Sequence, residues 1–219
     1  MYSWVCLSHL VSWTDGTLCF PGNADLPVSA ISTDTRSLES GEIFLALRGE
    51  NFDGNQFTRQ AVKLGATAVI GEKMPNAIGV PFVHVPDAMD PLLKIAMKLR
   101  DFFQGQVVGV TGSAGKSSTK EMLGALLGIS AVRSPASFNN LLGVSKTLCL
   151  VNDGTKHLIL EMGMNAPREI AVLCERFRPR FGVITNIGDA HIGRLGGKDG
   201  IFRAKKELFD YLACDKSGG

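Results

Sequence analysis

VVGVTGSAGKSSTKEM, Val107–Met122, is the stretch on which the fold of this chain turns. An apolar β-type run (Gln106–Thr111) enters a glycine loop at Gly112 and Gly115, followed by Lys116-Ser117 and a helical pattern to Leu127. Strand, glycine loop and helix in that order form a phosphate-binding loop. Backbone N–H groups of such a loop and of the first helical turn converge on one point, where the helix dipole also favours negative charge. Glycines let the backbone approach phosphate oxygens, Lys116 adds a positive charge, and the Ser117 hydroxyl can ligate Mg²⁺. The spacing departs from the usual G-x4-G-K-[ST]: Val110 stands where the first glycine is expected, and Gly109 lies one residue earlier. An ordinary βα turn carrying Gly-Lys-Ser is the plainer alternative. Strand, loop, lysine, hydroxyl and helix falling in step favour a phosphate site.

Downstream the pattern alternates. Helix 140–151, strand His157–Glu161, helix Pro167–Arg176, strand Phe181–Ile187 and a helix from Gly200 to Leu212 follow a loop holding Ser134-Pro135. Strands as apolar as HLILE and FGVITNI point to a parallel sheet covered on both faces. Three strands are expected in this sheet, few for a doubly wound domain, so the domain reads as truncated.

Upstream, MYSWVCLSHLVSW reads as a core helix: it lacks the basic start and small-residue cleavage site of a signal peptide. Short β-type runs follow at Val28–Ser32, Ile43–Leu47, Thr67–Ile70 and Phe82–Val85. A helix is expected over Gln56–Leu64, stopped by Gly65, and another from an N-cap at Asp87 to Phe103. The fold class is therefore α/β: a small N-terminal α/β domain, 1–104, then a truncated parallel-sheet phosphate-loop domain, 105–219.

The 219 residues suffice for two modest cores, and 45% hydrophobic with 20% charged residues is an ordinary globular balance. A net charge of +2 without a basic run argues against nucleic acid as partner. No apolar run reaches the ~20 residues that span a bilayer. The five cysteines are scattered without any C-x-x-C, so buried reduced thiols in a cytoplasmic protein are expected.

Ligands of parallel sheets bind beyond the carboxyl ends of the strands. Glu161 ends the run HLIL there and could hold Mg²⁺, or be a solvated strand-end carboxylate; the neighbouring Lys116-Ser117 favours metal. His191, after Gly188-Asp189-Ala190, could ligate a second metal or touch phosphate, although single histidines more often do neither. By composition Lys205, in RAKKE, is a solvated helix lysine, and Asn139-Asn140 passes for a helix N-cap. Thr35-Arg36 suits a phosphate but also suits any surface loop. Residues alone define a two-domain protein that uses ATP or GTP.

Taken together, the segments STDTR (32–36), GEIFLAL (41–47), RGENFDGNQF (48–57), GVTGSAGKSSTKEML (109–123), SFNNLLGV (137–144), LEMGMNAPREI (160–170), VITNIGDAHI (183–192) and RAKKELF (203–209) resemble the Mur ligases, ATP-dependent amide-bond-forming enzymes of peptidoglycan synthesis. The glycine placement at Gly109 is that family's form. The resemblance implies a UDP-substrate domain followed by an ATPase domain. Gly112, Ser113, Ala114, Gly115, Lys116, Ser117 and Ser118 would hold ATP, and Ser117, Glu161, His191 and Lys205 would serve Mg²⁺. Lys205 matches a lysine that takes up CO₂ to become a carboxylate-like ligand, which displaces the solvated-face reading. Thr35, Arg36, Glu50 and Asn51 would face the UDP end of the substrate, and Asn139 or Asn140 the cleft.

The implied reaction is phosphoryl transfer to the carboxylate of UDP-N-acetylmuramoyl-tripeptide, then attack by D-alanyl-D-alanine, with a cytoplasmic monomer as the expected state. Asn55 and Arg168 depart from the family pattern, which has histidine and glycine there. Family members are about twice as long, so this chain by itself is expected to be inactive. The alternatives are a binding module without chemistry, or another ligase of the same type.

Overall fold

The structure, a computed structural model, describes residues 1–19, 23–49, 52–76, 78–87, 90–188 and 197–215. The chain divides into two compact units, Met1–Leu99 and Arg100–Gly219.

In the first unit, α1 (Leu7–Trp13) precedes β1 (Thr17–Leu18), β2 (Ile31–Ser32) and β3 (Ile43–Leu45). The hairpin β4 (Arg48–Gly49) and β5 (Phe52–Asp53) comes next, then α2 (Thr58–Lys63), β6 (Ala68–Gly71), β7 (Phe82–His84) and α3 (Asp90–Phe102). The sheet order is β1-β7-β6-β3-β2, parallel except for β1 against β7. Its core joins Phe44, Val69 and Phe82 of the strands to Ala61 of α2. Leu92, Ile95, Ala96 and Leu99 recur at helical spacing on α3 and are buried.

Several expectations are corrected. The N-terminal helix starts only at Leu7, because Cys6 bridges to Pro27 in extended backbone. The helix expected from Asp87 is described from Asp90 onward, and residues 88–89 lie outside the described residues. Of the free cysteines, Cys149 and Cys174 are buried, while Cys19 and Cys214 are exposed.

The second unit contains β8 (Gln106–Thr111), α4 (Lys116–Leu127), β9 (Ala131–Arg133), α5 (Leu141–Leu148), β10 (His157–Glu161), α6 (Glu169–Phe177), β11 (Phe181–Ile184) and α7 (Lys198–Asp215). Its sheet, β11-β8-β10-β9, is parallel throughout. Among the described residues this sheet has four strands against the expected three: β9, a three-residue Ala-Val-Arg run, is too short to stand out in sequence. Glu161 pairs with Val110 and Ile184 with Thr111, so the carboxyl ends of β10, β8 and β11 finish level with one another. The central strand β8 therefore delivers its glycine loop between the ends of two neighbours.

Gly109 is a mid-strand residue of β8, outside the phosphate loop. Together with its register partner Gly182 it admits α7 to the sheet. A Cβ on Gly109 would lie 3.1 Å from Leu208 Cδ1, and one on Gly182 would lie 2.7 Å from Leu212 Cδ1. The glycine that looks displaced in the motif thus sets how closely the helix carrying Lys205 packs. Among the described residues no helix is long and apolar enough to cross a membrane.

Candidate phosphate and metal site

The loop leaving β8 is shaped by two glycines. Gly112 has φ +153°, and a Cβ there would fall 1.8 Å from Thr185 Oγ1. Gly115, the N-cap of α4, has φ +79°, a conformation that glycine adopts without strain. The loop is fastened from the end of β11. Thr185 Oγ1 donates to Ala114 O (2.5 Å), Asn186 Oδ1 accepts from Ala114 N (2.8 Å), and Gly188 N donates to Ser113 Oγ (2.9 Å). The first N–H groups of α4 have no acceptor within their own helix, so they form a ready anion seat. Lys116 Nζ reaches back to Gly112 O at 2.8 Å.

Beside this seat Ser117 Oγ donates to Glu161 Oε2 at 2.8 Å, and Asn139 Nδ2 donates to Glu161 Oε1 at 3.1 Å. Glu161 is only 1% exposed, which rejects the solvated-carboxylate alternative. Burial of a carboxylate requires hydrogen bonds and a compensating cation. Both are present: Ser117 and Asn139 supply the hydrogen bonds, and the Lys120 ammonium lies 3.8 Å from Oε2. The Glu161 backbone N–H separately donates to Ser134 Oγ at 3.1 Å.

Asn139 and Asn140 separate. Asn140 Oδ1 accepts from Gly143 N at 2.8 Å and caps α5, whereas Asn139 faces Glu161. A cavity of about 200 Å³ is lined by Gly112, Lys116, Asn139, Gly163 and Lys205, among others. Lys205 is 3% exposed, against the expectation from composition. Burial, and secondarily the charge of Lys116, depress its ammonium to a pKa of about 8. Its helix is anchored at Glu207, whose carboxylate accepts from the N–H groups of Arg168 (2.7 Å) and Ala171 (2.9 Å) at the start of α6. Arg168 has φ +70°, a conformation that glycine, the residue the family resemblance leads one to expect there, adopts without strain.

A hydroxyl and a carboxylate oxygen converging at the head of a phosphate loop suit Mg²⁺. This ion takes one or two protein oxygens and completes its octahedron with phosphate and water. Among the described residues no cluster of three or more His, Cys, Asp or Glu side chains gathers, as a self-sufficient metal cage would need. His191, Glu50 and Asn51 lie outside the described residues. Ser113, Ala114 and Ser118 lie on the loop and on the first turn of α4. In the first unit, Thr35 and Arg36 follow β2, and the exposed Arg36 guanidinium is paired with Asp34 at 2.6 Å.

Sequence reasoning missed Lys120, Ser134, Thr185 and Asn186. The available signal for Lys120 was its place one helical turn beyond Lys116, on the same side of α4.

Sheet, loop and carboxylate define an α/β domain of the phosphate-loop class. Residues 110–217 match the Mur ligase middle domain and residues 27–137 match the Mur ligase family catalytic domain. The chain belongs to the Mur ligase family. It is 42% identical over 188 residues to the UDP-N-acetylmuramoyl-tripeptide–D-alanyl-D-alanine ligase of Synechocystis, covering 84% of this chain and 41% of that protein. The Bacillus subtilis ligase of the same name is 36% identical, over 95% of this chain and 47% of the relative. A crystal structure of MurF from Acinetobacter baumannii superposes with a TM-score of 0.81 at 34% identity, covering 94% of this chain and 46% of that one. MurF ligase from Thermotoga maritima in complex with ADP gives 0.68 at 34% identity, over 83% of this chain and 43% of that one. The chain spans less than half the length of these relatives.

Proposed function

We propose that this chain supplies the substrate- and nucleotide-binding parts of an ATP-dependent ligase that joins D-alanyl-D-alanine to UDP-N-acetylmuramoyl-tripeptide. The observation that carries the nucleotide half is the Ser117–Glu161 pair, 2.8 Å apart at the head of the phosphate loop. The substrate half rests on the extent of similarity to ligases of that name. A cytoplasmic, monomeric protein goes with the same reading.

In this reading residues 1–104 hold the UDP end through Thr35, Arg36, Glu50 and Asn51, and residues 105–219 hold ATP. The amides of Gly112–Ser118 seat the phosphates, and Lys116 moves from Gly112 O to the γ-phosphate. Ser117 and Glu161, with His191 and carbamylated Lys205, would hold Mg²⁺, which when bound would supply charge neutralisation at the phosphate oxygens. The neutral Lys205 amine attacks CO₂ and releases a proton, and its depressed pKa makes that form available. A tripeptide carboxylate oxygen attacks the γ-phosphorus and expels ADP. The amine of D-alanyl-D-alanine then attacks the acyl carbon, loses a proton, and phosphate departs. Lys116 stabilises the charge that gathers on the transferring group.

The test is calorimetric titration of the chain with Mg²⁺-ADP and, separately, with UDP-N-acetylmuramoyl-tripeptide. Saturable binding of both is expected. A folded sample that binds nucleotide but not the UDP compound would reduce the reading to a nucleotide-binding domain.

A further inference from the structure

We propose that Lys120 is a positioning residue that fixes the loop bearing Asn139, and with it the Glu161 carboxylate, in the arrangement that receives a metal-bound nucleotide. The inference rests on the reading of Ser117 and Glu161 as a metal site.

Lys120 is 1% exposed, among the most buried large side chains of the protein. Its ammonium donates to Ser134 O at 2.7 Å and Ala136 O at 2.6 Å, and lies 3.2 Å from Glu121 Oε1 and 3.8 Å from Glu161 Oε2. Two of its three N–H groups are thus taken by backbone carbonyls of one loop, and two carboxylates compensate its charge. It is shut off from solvent and acts on a ligand only through its neighbours.

Apart from Glu121, each contact leads to the site. Ser134 offers its carbonyl to Lys120 and its hydroxyl to the N–H of Glu161, so one residue links the cation to the carboxylate strand. Ala136 is left-handed, φ +44°, a conformation that strains a non-glycine residue. In this conformation its carbonyl is bonded to Lys120. Three residues on, Asn139 donates to Glu161, and its own carbonyl accepts from Gly163 N at 2.8 Å. The loop is pinned by Lys120 at its start and by Gly163 at its end.

Stability gives little reason for a charge here. Lys120 stands in the second turn of α4, toward the helix end where the dipole disfavours a cation. Apolar residues in place of buried ion pairs are often neutral or stabilising. What the ammonium supplies, and an apolar chain of equal length does not, is direction: it orients two carbonyls and a carboxylate together.

The experiment compares wild type with Lys120→Met in two ways. Amide hydrogen exchange over residues 134–140 is expected to accelerate more than tenfold in the variant, and to stay unchanged in Lys116→Met. ADP titrations with Mg²⁺ and with EDTA are expected to lose the Mg²⁺-dependent gain more than tenfold, while the metal-free affinity changes less than twofold. Unaltered exchange in 134–140 overturns the proposal. So does acceleration spread evenly over the fold, or an equal loss with and without Mg²⁺, since either outcome makes Lys120 merely structural. If Lys120→Met does not fold, Lys120→Gln, which keeps amide donors without the charge, is read against the same criteria. A wild-type chain that binds no nucleotide would remove the metal-site reading, and the exchange comparison would still decide the role of Lys120.

Discussion

Asn139 and Asn140 adjoin in the chain and serve different elements: the first donates to the buried Glu161 carboxylate, the second caps α5 through Gly143 N. Their alanine variants should therefore fail differently. Asn140→Ala loses about 1 kcal/mol of stability, the worth of an N-cap, with nucleotide affinity retained. Asn139→Ala weakens Mg²⁺-ADP binding several-fold. Urea unfolding paired with calorimetry separates the two.

Lys205 ties stability to pH. Its pKa falls from 10.5 unfolded to about 8 folded, so between these values the unfolded chain holds more protons and stability rises with pH. Below pH 8 both states are protonated and the penalty is complete. Lys205→Met in bicarbonate-free buffer should stabilise the fold by on the order of 3 kcal/mol at pH 7, with the gain vanishing near pH 10.5. Urea unfolding at pH 7 and pH 10 measures both ends.

Arg168 holds φ +70°, and its side chain makes one exposed ion pair, with Glu175 at 3.4 Å. Arg168→Gly relieves about 1–2 kcal/mol of backbone strain and sacrifices a surface pair of little worth. A net gain of about 1 kcal/mol is expected in thermal or urea unfolding, with nucleotide affinity unchanged.

Gly182→Ala tests the close packing of α7. The new Cβ would lie 2.7 Å from Leu212 Cδ1 and 2.9 Å from Leu208 Cγ, so the helix must shift. Overpacking of this kind costs about 1–3 kcal/mol. Because α7 carries Lys205, the depressed pKa of that lysine should move back toward 10.5, as an NMR titration of its ammonium would report.

The sequence made some of this architecture plain and concealed the rest for identifiable reasons. β8, α4 and β10 could be drawn to the residue, because apolar runs between a glycine loop and a helical pattern leave little choice. β9 escaped because three residues carry no periodicity. Lys120 escaped because composition treats lysine as solvent-facing, and Lys205 was singled out by the family resemblance alone; only the packed fold reveals that both are enclosed. The proper role of Gly109 needed α7 in place, since Leu208 is far away in the chain. Thr185 and Asn186 are unremarkable polar residues until the parallel register sets them against the phosphate loop.

That register also has a consequence for synthesis. Ala114 is held by Thr185, 71 residues later, and Ser113 by Gly188, 75 residues later. At about 5–20 residues per second, a ribosome makes the loop several seconds before it makes the residues that fasten it. The nascent chain therefore carries Lys116 and Ser117 through a period in which their loop lacks its clasp. Nucleotide protection against proteolysis should appear on stalled chains only once residue 188 has left the exit tunnel.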